Sequence, residues 1–138
     1  GRRLTRATED EARAAIFGLT CVNDVTARDI QRREIQHTRA KGYDTFACCG
    51  PFIQTDLPWS DLRVVARING VVRQDGRTSD MVHSPARLVA FISNIMTLLE
   101  GDIVSTGPPS GVGPLEAGDV VEVDIEGVGC LRNPVRRE

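Results

Sequence analysis

Lysine is nearly missing from this chain: of 17 lysines and arginines, Lys41 is the one lysine. Histidine occurs twice, as His37 and His83. Neither sits at a metal-ligand spacing or beside a candidate nucleophile, so a surface or core-edge place is expected for each. Charge of one sign is also lacking. The formal net charge is −2, which removes any electrostatic case for nucleic acid or an anionic membrane. Long apolar runs are absent too, none approaching the ~18 residues of a spanning helix. Gly1 to Arg6 are basic but carry no apolar stretch of the signal-peptide kind. The four cysteines are Cys21, Cys48, Cys49 and Cys130. Adjacent Cys48 and Cys49 do not match the spacings of structural zinc sites, so the expectation is four reduced thiols filling the core of a cytoplasmic protein.

What remains is an ordinary globular mixture. Hydrophobic residues make up 41% and charged residues 26% of 138 positions, enough for one domain with a real core. Against that background Lys41 stands out. A chain that uses arginine almost everywhere has reason to keep one lysine where a compact ammonium is needed, since arginine spreads its charge over a planar fork. A surface lysine retained by chance is the alternative.

Thr8 and Glu11 form a capping-box pattern, and Ala12, Ala15, Ile16 and Leu19 follow at helical spacing, predicting a short amphipathic helix over 8–19. Thr20-Cys21-Val22 then suits a strand that ends near Asp24, where side chains commonly converge on a site. Gly42, Gly50, Pro51 and Pro58 punctuate residues 32–61, so a long, ordered, irregular segment is expected there. Asn69-Gly70 between β-branched runs predicts a hairpin. Ser84, Pro85 and Gly101 mark the ends of a helix over 84–101. Its apolar residues, Leu88, Val89, Phe91, Ile92, Ile95, Met96 and Leu99, predict burial against a sheet. Strands are expected at 102–106, 120–125 and 129–132, the second because Val121, Val123 and Ile125 alternate with Glu122 and Asp124.

Several polar groups compete for a functional reading. Gly107–Gly113 lacks the G-K-[ST] ending of a P-loop, so it is read either as a tight turn or as a loop offering backbone N–H groups to a carboxylate. Asp80 in T-S-D-M reads as turn chemistry, and Glu9-Asp10-Glu11 reads as charge at a helix start. The stretch N-D-V-T-A-R-D-I-Q, residues 23–31, differs in kind. Asp24 could ligate a hard cation, Arg28 could grip a carboxylate bidentately, and Gln31 could bond a carbonyl. Lys41 could offset developing enolate charge. A solvated turn is the bland reading of the same residues.

The motifs N-D-V-T-A-R-D-I-Q, R-A-K-G-Y-D-T-F, I-N-G-V-V-R-Q-D-G-R-T-S-D-M, L-L-E-G-D-I-V-S-T-G-P-P-S-G-V-G-P-L and G-D-V-V-E-V-D-I-E-G-V-G-C-L-R-N-P-V occur here in that order. Together they resemble the fumarylacetoacetate hydrolase superfamily across nearly the whole chain. The likeness is to the C-terminal two-thirds of its small bacterial members, among them acylpyruvate hydrolases, oxaloacetate decarboxylases and 5-carboxymethyl-2-hydroxymuconate isomerases. The resemblance implies an α+β, mainly β fold: a mixed β-sandwich roll with a buried helix and a short N-terminal helix, usually dimeric. It implies one Mg²⁺ or Mn²⁺ ion held by two glutamates of an E-x-E motif and by an aspartate, onto which Asp24 falls. Arg28 and Gln31 fall on positions facing the oxo-acid end of the substrate. Lys41 falls on the family's active-site lysine, Thr45 lies beside the metal shell, and Thr106 and Gly107 belong to a substrate-contacting T-G-T-P motif. Here that motif reads T-G-P-P, so Pro108 removes a hydroxyl and a backbone donor. The E-x-E ligands and a lid with a Glu/His acid–base pair would lie upstream of Gly1, so the expectation is one catalytic domain, residues 1–138, continued in a longer protein.

The function these residues predict is divalent-metal-dependent hydrolysis, decarboxylation or isomerisation of a small 2-oxo or β-dicarbonyl acid by a homodimer. The rival is a non-catalytic family member that dimerises or binds oxo acids without turnover.

Overall fold

The computed structural model of the chain describes residues 1–137. Helix α1, Glu9–Ala15, starts where its capping box places it: Thr8 Oγ1 accepts from the Glu11 backbone N–H at 3.3 Å, and the Glu11 carboxylate accepts from the Thr8 N–H at 2.8 Å. Strand β1, Leu19–Asp24, pairs antiparallel with β2, Ala47–Gln54. Between them lie two short helices, α2, Arg28–Arg33, and α3, Thr38–Lys41. Strands β3, Arg63–Ile68, and β4, Val71–Arg77, form the expected hairpin. Its two turn residues have positive φ, 52° at Asn69 and 78° at Gly70, the backbone that an Asn-Gly pair tolerates best. Asn69 also reaches the start of β5, accepting from the Val120 N–H at 2.9 Å and donating to Asp119 at 2.8 Å. A 3₁₀ turn, Thr78–Asp80, precedes helix α4, Pro85–Ser93. Strands β5, Val120–Ile125, and β6, Gly129–Pro134, complete a four-stranded antiparallel sheet in the order β4-β3-β5-β6.

The architecture is α+β and mainly β, as expected. The two-stranded sheet packs over the four-stranded one. Cys21, Val128 and Leu131 are buried between them, with Leu19, Cys48, Leu57, Val123 and Ile125 around them. Asn23 Nδ2 donates to Asn133 Oδ1 across the same junction at 3.2 Å. No helix among the described residues is long and apolar enough to cross a membrane.

Five expectations are corrected. The segment 32–61 is less irregular than its glycines and prolines suggested, since it holds the end of α2, then all of α3 and β2. Pro51 is tolerated because β2 is an edge strand, where a missing N–H breaks no ladder on its open side. The helix predicted over 84–101 stops at Ser93. Its capping by Ser84 and Pro85 is as expected. However, the Ser93 carbonyl accepts from the Arg6 N–H at 2.7 Å, and the Ser93 hydroxyl accepts from the Ala7 N–H at 3.0 Å. The N-terminal segment thus takes the Ser93 carbonyl that would have accepted a further helical bond.

Nor is α4 buried against a sheet. It lays Ala86 and Ser93 against α1, where Ala12 and Ala15 allow close approach, and α1 is too short to cover more than one stripe. Phe91, Ile95, Met96 and Leu99 are left exposed. Phe91→Ser should therefore change the unfolding free energy by less than about 1 kcal/mol. Leu131→Ala should cost about 2–5 kcal/mol, both measured by urea unfolding. Finally, residues 102–106 form no strand: among the described residues no ladder hydrogen bonds join them to another segment. The cysteines are all free, as expected, but Cys21 alone is fully buried, and Cys49 and Cys130 are exposed.

The outward face of the four-stranded sheet carries ion pairs: Arg63 with Asp75 at 2.6 Å, Arg77 with Asp61 at 2.5 Å and Arg67 with Asp124 at 3.1 Å. The hydrogen bond from Arg77 holds the Asp61 carboxyl below the usual carboxylate range, and the one from Arg63 does the same for Asp75. Asp119 is lowered first by the Glu116 backbone N–H and then by Asn69. In each case the folded state binds its proton less readily than the unfolded chain, so the contribution is complete above the ordinary carboxylate value of about 3.9 and is lost as pH falls through the depressed one. Asp61 and Asp75 are exposed and Asp119 is only half-buried, which keeps each contribution small. Urea midpoints should hold at neutral pH and fall from about pH 4 downward. High salt should blunt the loss from the arginine pairs.

Candidate active site

β1 delivers Asp24 to the edge of the sandwich, opposite Ala47 at the start of β2. The chain then turns back on itself. The Val25 N–H donates to the Phe46 carbonyl at 3.2 Å and the Ala27 N–H to the Ala40 carbonyl at 2.9 Å, which brings the end of α3 alongside. Lys41 Nζ consequently forms an ion pair with the Asp24 carboxylate and donates to Thr26 Oγ1 at 3.3 Å. Thr26 Oγ1 itself donates to the Asp24 carbonyl at 3.2 Å. The Lys41 and Asp24 side chains are 37% and 34% exposed. They are shielded enough to hold a fixed geometry and open enough to meet a small ligand. Asp24 thus stands at the end of a strand in an ion pair with Lys41.

One helix away, Arg28 Nη1 donates to Gln31 Oε1 at 2.7 Å, and the Gln31 amide nitrogen lies 3.4 Å from His37 Nδ1. Thr45 adopts a positive φ of 68°, and its carbonyl accepts from the Cys48 thiol at 2.9 Å. Thr106 and Gly107 are not brought to this group by any hydrogen bond among the described residues. They begin a loop that packs on β4. There the Gln74 amide donates to the Pro109 carbonyl at 3.0 Å, and a Cβ on Gly111 would lie 1.9 Å from the Arg73 carbonyl oxygen. Asp80 accepts from the Arg77 N–H in its turn, as expected of turn chemistry, and His83 is exposed. Two residues escape sequence reasoning. Thr26 lies inside the 23–31 stretch and was readable as its hydroxyl-bearing member. His37 meets Gln31 only through the packing of α2 on α3, which leaves no local signal.

The model of the fumarylacetoacetate (FAA) hydrolase C-terminal family matches residues 1–136. The chain belongs to that family. Among solved FAA hydrolase relatives, a 5-carboxymethyl-2-hydroxymuconate delta-isomerase from Mycobacterium smegmatis is 49% identical and superposes with a TM-score of 0.98, covering 100% of this chain and 55% of that one. Oxaloacetate tautomerase YisK from Bacillus subtilis is 39% identical over 98% of this chain and 48% of its own length. A 2,4-didehydro-3-deoxy-L-rhamnonate hydrolase from Sphingomonas sp. is 38% identical over 98% of this chain and 52% of its own. The chain spans about half the length of the curated relatives it matches.

A cation of the Mg²⁺ type needs several oxygen ligands. Among the described residues no three His, Cys, Asp or Glu side chains gather to hold one. Asp24 offers one hard carboxylate, and the Lys41 ammonium beside it occupies part of that carboxylate's coordination. The donor set therefore suits one edge of a hard-cation site and falls short of a complete one.

Proposed function

We propose that this FAA hydrolase domain serves an enzyme acting on small 2-oxo or β-dicarbonyl acids. The observation that carries the reading is the pairing of the chain's single lysine with Asp24, with Arg28 and Gln31 on the next helix. The activities for which the relatives are named, oxaloacetate tautomerase, 2,4-didehydro-3-deoxy-L-rhamnonate hydrolase and 5-carboxymethyl-2-hydroxymuconate delta-isomerase, support it. In this reading Asp24 contributes one carboxylate to Mg²⁺ or Mn²⁺, whose other ligands come from outside the described residues. The bound cation would supply Lewis-acid polarisation of the substrate carbonyl. The chain's own side chains do the remaining work. Arg28 holds the substrate carboxylate through the guanidinium edge that Gln31 leaves free. Gln31 fixes the direction of that edge. Lys41 offsets negative charge gathering on the substrate oxygen as a carbon–carbon or carbon–hydrogen bond breaks, and its compact ammonium can shift from Asp24 toward that oxygen with little reorganisation. Thr45 borders the cation side, and Thr106 and Gly107 reach the substrate from the far loop. A homodimer in the cytoplasm completes the proposal.

Hydrolysis, decarboxylation and isomerisation share these demands, so the fold does not choose among them. The lone carboxylate and Pro108 favour the second reading, an oxo-acid-binding module without turnover. Assaying the full-length protein on acylpyruvates, oxaloacetate and hydroxymuconate-type diacids with Mg²⁺ decides between them. Cation-stimulated turnover of at least one compound is expected, and binding without turnover of any would establish the module.

A further inference from the structure

We propose that His37 is a positioning residue that sets the orientation of the Gln31 amide and through it the substrate-facing edge of Arg28. The inference deepens the reading of this site as an oxo-acid pocket and rests on it. It begins from donor counting. A guanidinium has N–H donors and no acceptor, so the Gln31 atom 2.7 Å from Arg28 Nη1 must be the amide oxygen. The amide nitrogen then necessarily faces His37 Nδ1 at 3.4 Å. Because that nitrogen can only donate, the hydrogen bond between them has Nδ1 as its acceptor. The three side chains form a directed chain of donors from Arg28 through Gln31 to His37. Each end of the Gln31 amide has a partner that matches it, and a flipped amide would meet a donor with a donor at Arg28.

The place of His37 in the chain adds a second consequence. It occupies the N-cap position of α3, yet its side chain makes no capping bond to that helix. Its ring turns instead to α2. The residue that begins the helix carrying Lys41 is therefore the residue that touches the helix carrying Arg28 and Gln31. Together with the Ala27 to Ala40 backbone bond, this contact holds the oxo-acid-binding pair in register with the Lys41 and Asp24 pair. Nothing in the composition or spacing of the sequence marks His37 for this work, because the contact exists only once the two short helices meet.

The test uses the full-length protein with oxaloacetate and Mg²⁺, reading kcat and KM separately. His37→Leu removes the acceptor and should raise KM roughly 3- to 10-fold, the range of one neutral hydrogen bond, with kcat within about twofold. His37→Asn places an amide oxygen where Nδ1 stood and should restore KM to near the parent value. In a Gln31→Ala background His37→Leu should add nothing, since the group it orients is gone. An unchanged KM in His37→Leu, or an equal and additive loss with and without Gln31, overturns the positioning role. If His37→Leu does not fold, the His37→Asn variant still decides: a KM raised as far as that of Gln31→Ala overturns the role. Turnover untouched by Gln31→Ala and Arg28→Ala alike would overturn the oxo-acid reading itself, and the inference with it.

Discussion

Replacing Lys41 by arginine is expected to lower kcat/KM by about 10²-fold or more, the loss typical of removing one donor aimed at developing oxyanion charge. The change keeps the formal charge, so a role limited to surface electrostatics would leave activity nearly intact. What it alters is shape. An ammonium concentrates its charge at one atom and can point any of three donors, whereas a guanidinium spreads the charge over a rigid, longer fork. Lys41 Nζ is already shared between the Asp24 carboxylate and Thr26 Oγ1, and no planar group reproduces that convergence while leaving a donor for substrate. The deficit should fall mainly on kcat, because the charge it answers is largest in the transition state. Parent-like turnover of Lys41→Arg would take the residue out of the mechanism.

The second large effect concerns Asp24. Asp24→Ala should weaken Mg²⁺ or Mn²⁺ binding to the full-length protein by at least about 10-fold in titration calorimetry, because a hard cation loses an anionic ligand. It should also leave the Lys41 ammonium without its carboxylate partner, so activity should fall further than cation affinity accounts for and should not return when Mg²⁺ is raised. Unchanged cation affinity would place the metal elsewhere. The stability cost of the same change should be small, since both side chains are about one-third exposed and such pairs contribute about 0–1 kcal/mol.

These two residues also show which parts of the structure were legible in the sequence. A strand ending at Asp24, the Thr8–Glu11 capping box, the Asn69-Gly70 hairpin and the alternation in β5 each depend on neighbours a few positions apart. All four stand as read. The elements that were missed depend on distant partners or on a break in pattern. α2 and α3 are too short to show a period, and β2 hides behind Gly50-Pro51. The end of α4 is decided by Arg6 and Ala7, about 87 positions away. Residues 102–106 have strand-like chemistry but form no strand pairing among the described residues. The site divides the same way. Asp24, Arg28 and Gln31 lie within one stretch and could be grouped by eye. The arrival of Lys41 beside Asp24 needed the β1–β2 pairing, and the contact of His37 with Gln31 needed α2 to meet α3. Thr106 and Gly107 were grouped with the site by resemblance, yet the contacts of their loop are with β4.

β1 gives the carboxylate its address. Cys21 and Asn23 point into the seam between the sheets, toward Gly129 and Asn133, so alternation turns Asp24 the other way. Sliding this strand by one residue would drive the acid into the apolar seam and push the thiol into water, an exchange the packing strongly opposes. Insertions or deletions within β1 should therefore be purged even where they spare every polar residue, because the hydrophobic interior is the ruler from which the reactive end is measured.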